Sequence, residues 1–115
     1  LYCTYLKFQP RNHLVTSWFS KNESGSSAHT HHHGIADISG VYYYKTDGED
    51  GDLFFNSPTP AADTSLCYKQ YHYSRKYKPV VGRLILFPGW LMHGVERNNS
   101  QHTRISLAFN FYFER

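Results

Sequence analysis

Cysteine is scarce: Cys3 and Cys67 are the two in 115 residues, and they form no CxxC pair. Two are too few for a disulfide scaffold, so they read as reduced thiols of a cytoplasmic protein, with room for one bridge at most. No apolar run approaches the roughly 18 residues that cross a bilayer as a helix, which argues against a transmembrane protein. Charge of either sign is sparse. Twelve Lys and Arg against nine Asp and Glu leave a formal +3, too small and too scattered to mark a nucleic-acid surface. Runs of good helix formers are missing, which argues against a helical bundle. There is no Gly-rich phosphate loop, GxSxG elbow or HExxH helix, so those chemistries lack their parts. A nucleophilic Cys67 paired with a histidine is conceivable, but nothing near it in sequence supports one. The chain opens on Leu1 rather than Met and carries no signal-peptide pattern. It reads as one domain over 1–115, with room for a missing N-terminal segment.

Aromatics are abundant instead, at 17%: ten Tyr, eight Phe and two Trp. They suit the pleated surface of a sheet. Strand-like runs are expected at Tyr2–Phe8, Leu14–Phe19, Ala28–His31, Ile38–Tyr44, Leu53–Phe55, Tyr77–Val81, Arg83–Phe87, His93–Glu96 and Arg104–Phe113. Turn signals separate them, among them Asn22–Ser27, the acidic Thr46–Asp52 and the proline-bearing Asn56–Asp63. Many short strands with frequent turns imply an all-β fold, a sandwich or a barrel-like jelly roll. The acidic stretch reads as a solvated hairpin turn, since EF-hand spacing is absent. Tyr68–Lys78, which mixes Tyr with Lys, Arg and His, could stack on bases or phosphates but reads first as a long aromatic-rich loop or edge strand beside a site.

The last run alternates cleanly. Ile105, Leu107, Phe109, Phe111 and Phe113 share one face; Arg104, Ser106, Ala108, Asn110 and Tyr112 share the other. Either the apolar face is core and the polar face is solvated, or the polar face lines a cavity; periodicity alone does not choose.

Eight histidines are present, four of them at His29, His31, His32 and His33. On a strand, His29, His31 and His33 project to one side and His32 to the other. Two imidazoles one residue apart can reach a single metal ion about 2.0–2.2 Å away, but such a pair holds it weakly without a third ligand. His93 is the natural candidate, because it follows the turn Pro88-Gly89-Trp90-Leu91-Met92 and begins a new strand. Any one histidine is more often a surface or hydrogen-bonded core residue, and His13, His72 and His102 are read that way.

The order of segments carries a resemblance. His31-His32-His33, Ile38–Tyr44 with Ser39-Gly40-Val41-Tyr42, Gly51–Pro58, Gly82–Pro88, His93-Gly94-Val95 and Arg104–Asn110 follow one another along the chain. In this it resembles the 2-oxoglutarate- and iron(II)-dependent oxygenases of bacteria and cyanophages, relatives of the prolyl hydroxylases, from about Ser17 to Phe113. The resemblance implies a double-stranded β-helix, a cupin-like jelly roll whose open end holds iron. It places the metal ligands at His31, His33 and His93. It places the 2-oxoglutarate contacts at Arg104, at Ser106 two residues on, and at Tyr43, and so turns the Arg104 face toward the cavity. A guanidinium fork suits a carboxylate. One departure stands out: the wider superfamily has HxD or HxE, whereas His33 holds the second position here and Asp37 is the only acid nearby.

The expected function is therefore an iron(II)-, 2-oxoglutarate- and O2-dependent hydroxylase acting on a small-molecule or peptide substrate, with no nucleic-acid or membrane partner. Tyr42, Tyr44 and Trp90 are candidates for the substrate mouth or for plain packing. Two rivals remain: a three-histidine dioxygenase that does not use 2-oxoglutarate, and a jelly-roll binding module that is not an enzyme.

Overall fold

The structure, a computed structural model, describes residues 13–59, 61, 64–66 and 75–114. The expected strand Tyr2–Phe8, both cysteines and most of Tyr68–Lys78 lie outside the described residues. Eight strands form among those described: β1 (His13–Asn22), β2 (Ala28–His31), β3 (Ile38–Lys45), β4 (Leu53–Phe55), β5 (Arg75–Tyr77), β6 (Leu84–Pro88), β7 (His93–Val95) and β8 (Arg104–Phe113). They build two four-stranded antiparallel sheets, ordered β1-β8-β3-β6 and β2-β7-β4-β5. Nearly every connection passes from one sheet to the other, which is the winding of a jelly roll. The sheets meet face to face through Phe55 and Phe87, whose rings lie 5.0 Å apart edge-on.

One strand differs from expectation. The run Tyr77–Val81 is not a strand; pairing with β4 ends at Tyr77, where β5 forms the edge of its sheet. Pro79 has no N–H to give a ladder, and the Arg83 N–H closes a turn onto Val80 O at 2.9 Å.

β8 resolves the alternation. Arg104, Ser106 and Asn110 are buried, whereas Ile105, Leu107, Phe109, Phe111 and Phe113 are only partly covered. The inner face is thus the polar one. Phe109 lies on the outer face over Gly40, together with the exposed Leu86. Tyr42 and Tyr44 are exposed and alternate with the buried Tyr43, so they turn away from the interior and do not shape its mouth. Buried side chains are accordingly as much polar as apolar: Ser39, Asp50, His93, Asn98, Arg104, Ser106 and Asn110 beside Ala36, Tyr43, Leu53 and Phe87. Each polar one needs a partner to offset its lost hydration. Ser39 Oγ donates to Asn110 Oδ1 at 2.7 Å, and Asn98 Nδ2 donates to Asn22 O and His102 O at 3.1 and 2.8 Å, tying the β7–β8 loop to the end of β1.

The acidic turn after β3 is not wholly solvated. Asp50 is 0% exposed. Its carboxylate accepts from Thr46 Oγ1 at 2.8 and 2.7 Å and from the Asp47 N–H at 3.2 Å, which folds the loop back on itself. Gly51 follows with φ +106°, and a Cβ there would sit 2.3 Å from Glu96 O. Both the backbone angle and the close approach require glycine. Gly51→Ala should therefore cost about 2 kcal/mol or more of folding stability, read as a lower urea midpoint. An unchanged midpoint would show that the loop adapts freely.

Candidate metal centre

The β2–β7 pairing sets His31 directly opposite His93. Cross-strand neighbours on one face approach closely, and these two ring centroids are 4.4 Å apart. β2 ends at His31, so the sequence expectation that His29, His31 and His33 share a strand face is met only in part. His33 reaches the site from a turn instead. Its N–H donates to Gly89 O at 2.9 Å, and its carbonyl accepts from the Ala36 N–H at 3.1 Å. Gly89 packs so tightly on this turn that a Cβ would fall 2.1 Å from Ala36 O. The Pro88-Gly89 turn thus aligns His33 with His93, which begins the next strand.

One imidazole nitrogen from each of His31, His33 and His93 lies within 4.8 Å of the other two. His31 Nδ1–H donates to His29 O at 2.6 Å and His93 Nδ1–H donates to Leu91 O at 2.8 Å. These bonds select the tautomer whose Nε2 lone pair is free, the usual outer support of a metal-binding histidine. His33 Nε2 and His93 Nε2 are 3.1 Å apart. Two donors about 2.1 Å from one ion and at right angles to each other are separated by about 3 Å. The donor set therefore fits a divalent metal with further positions open. Asp37 takes no part: its Oδ2 accepts from the Phe113 N–H at 2.8 Å, so no carboxylate joins the cluster among the described residues.

Burial pushes His93 down to about 4, against a smaller opposite effect of the Leu91 carbonyl. His33 is lowered as well, first by burial and then by His31 and His32. Both are neutral at pH 7, as metal donation requires.

These histidines face a cavity of about 130 Å³ that also meets Trp18, Tyr43, Phe87, Arg104 and Ser106. Arg104 is 3% exposed. Its Nη1 donates to Gly51 O at 2.7 Å and lies 3.8 Å from Asp50 Oδ1, while its buried Nε has no acceptor. The guanidinium carbon stands 5.7 Å from the Tyr43 ring centroid. A larger groove of about 770 Å³ between β6 and the β4–β5 edge shares only Phe87 with this cavity. Trp90 is exposed and lines neither.

Residues 16–110 match the family profile described as "Putative 2OG-Fe(II) oxygenase", 2OG being 2-oxoglutarate. The chain belongs to this family. A search of curated proteins finds no match. Among solved structures, the fold is similar to a prolyl-4-hydroxylase of Pseudomonas putida at TM-score 0.65 and 18% identity, covering 88% of this chain and 52% of that one. It is also similar to a 2OG-Fe(II) oxygenase-family oxidoreductase of Burkholderia pseudomallei, at TM-score 0.74 and 12% identity, over 96% and 50% of the two chains. HygX of Streptomyces hygroscopicus, solved with nickel and 2-oxoglutarate bound, matches at TM-score 0.63 and 15% identity over 90% and 58%. The chain thus spans about half the length of the structures it matches, and the likeness establishes the double-stranded β-helix expected from the sequence.

Sequence reasoning missed Trp18 and the Asp50–Gly51 loop. Trp18 is set opposite Ala108 on β8, so only the β1–β8 register shows that it faces the cavity.

The depressed His93 sets a pH dependence. The folded protein takes up that proton near pH 4, the unfolded chain near 6.5. Between these values the unfolded state holds more protons, so the stabilisation is complete above 6.5 and is lost as pH falls toward 4. Metal-free protein should show a declining urea midpoint across that window, and His93→Gln should flatten the decline. Parallel pH profiles for the two proteins would show that His93 does not contribute.

Proposed function

We propose that this protein is an iron(II)- and 2-oxoglutarate-dependent hydroxylase. The observation that carries the reading is one cavity with converging imidazole nitrogens on one side and a buried arginine with a spare donor on the other. When bound, iron(II) and 2-oxoglutarate supply the oxidative decarboxylation that yields succinate and CO2 and the O2-dependent hydroxylation of a second substrate. His31, His33 and His93 would hold the metal as neutral donors. Arg104 would receive the distal carboxylate; its Nη1 is engaged by Gly51 while its Nε has no acceptor. Ser106 offers a hydroxyl from the same face of β8. Tyr43, its phenol pKa raised chiefly by burial, remains a neutral O–H donor beside the guanidinium. The second substrate is a small molecule or a peptide.

Two features favour a second reading, a three-histidine dioxygenase that does not use 2-oxoglutarate. The ligand set contains no carboxylate, and Arg104 already has Asp50 as a partial counter-ion.

Anaerobic titration separates the two. Adding iron(II) and 2-oxoglutarate should develop a visible metal-to-ligand charge-transfer band. Arg104→Ala should still bind iron but weaken 2-oxoglutarate by about 30- to 5000-fold, the range of a charge-assisted contact worth about 2–5 kcal/mol. Arg104→Lys should recover part of that loss, since it restores the charge without the planar fork. A denaturation curve for each variant guards against loss of the Gly51 loop. An Arg104→Ala protein that decarboxylates 2-oxoglutarate like its parent would move the second reading ahead.

A further inference from the structure

The three histidines are not supported alike. His31 and His93 each have a backbone carbonyl holding Nδ1, at 2.6 and 2.8 Å. No carbonyl holds Nδ1 of His33 in this way among the described residues, and His33 stands on a turn rather than a strand. Its ring is flanked by another group. The Trp18 indole is stacked on it at 6.0 Å between centroids and 25° between planes. The His93 ring is 4.9 Å away and within 5° of parallel. Trp18 itself is fixed by β1, paired with β8 along its whole length, and is 40% exposed where it borders the cavity.

We propose that Trp18 is a positioning residue for His33, orienting its imidazole by stacking where the other two ligands use a carbonyl. This rests on the metal-centre reading of His31, His33 and His93. The physical reason is twofold. A stacked indole removes rotational freedom about the Cβ–ring bond of His33, so less is lost when the ring is captured by a metal. An imidazole that donates to a cation also becomes electron-poor, and the negative π face of an indole attracts it more strongly than it attracts the neutral ring. Trp18 therefore stabilises the metal-bound state more than the free one. The orientation of a ligand by its outer neighbours is commonly worth 10- to 100-fold in metal affinity.

Cobalt(II) is a suitable probe, because it binds without O2 chemistry and its visible absorption reports ligand geometry. Calorimetric titration with cobalt(II) should give an affinity about 10- to 100-fold weaker for Trp18→Leu, which keeps apolar bulk but has no π face. Trp18→Phe should recover most of the loss. The cobalt absorption bands of Trp18→Leu should shift while its thermal midpoint without metal stays near that of the parent. Trp18→Thr, a good strand former, serves the same comparison if the Leu variant does not fold. In a Trp90→Phe background Trp18 is the remaining tryptophan, and its fluorescence should fall with the calorimetric midpoint as the ion binds beside it. Leu and Phe variants that bind cobalt as tightly as the parent, with unchanged bands, would overturn the role of Trp18 and leave the metal centre standing. A parent protein that binds no cobalt, nickel or iron would overturn both.

Discussion

A permanently charged guanidinium shut inside a small sandwich constrains everything near it. Arg104 cannot shed its charge at any ordinary pH, so the fold supplies oxygen atoms to meet it. They come from Gly51 O and the Asp50 carboxylate. Asp50 in turn is held by Thr46 and the Asp47 N–H, and Gly51 can occupy its place only because it lacks a side chain. A buried ion pair of this kind is weak evidence for stability, since desolvation offsets much of the attraction. With Ser106 and Tyr43 beside it, the interior is organised around polar groups, and much of the apolar material of β8 and β6 is displaced to the outer surface.

The sequence revealed the periodic elements well because their cause is local. Alternation along Arg104–Phe113, the punctuation around Leu53–Phe55 and the Pro-Gly turn before His93 are each visible within a few residues. The resemblance of its segments to a family, not periodicity, turns the polar face of β8 inward, and burial of Arg104, Ser106 and Asn110 agrees. What local pattern could not show is whatever depends on a partner far along the chain. Asp50 resembles its acidic neighbours in sequence, yet it is buried, 3.8 Å from Arg104 Nη1. Trp18 gives no sign of its position until β1 is paired with β8. The two histidines one residue apart suggested a shared strand face, but β2 is too short and a turn fixed by Gly89 carries the second one.

The chemistry of the centre follows from neutrality. On the proposed reading, three imidazoles would contribute no negative charge, so a bound divalent ion would keep its full formal charge until an anionic ligand arrives. That favours ligands with a carboxylate to donate, and it distinguishes this site from the two-histidine, one-carboxylate arrangement of the wider superfamily. Burial lowers His93 and His33 and keeps both deprotonated at neutral pH.

The division of labour between the two sheets has a geometric consequence. His31 and His93 belong to one sheet and His33 hangs from its edge, while Tyr43, Arg104 and Ser106 belong to the other. Facing sheets keep a separation of about 10 Å, so the span between the imidazoles and the guanidinium is a property of the sandwich rather than of any one loop. The cavity then works as a caliper. On the proposed reading, a dicarboxylate of the right length would touch both jaws at once, whereas one a carbon shorter or longer would give up one contact or force the sheets apart. Changes in bulk at Phe55 and Phe87, the pair that props the sheets, would reset the gap and with it the length of acid that fits.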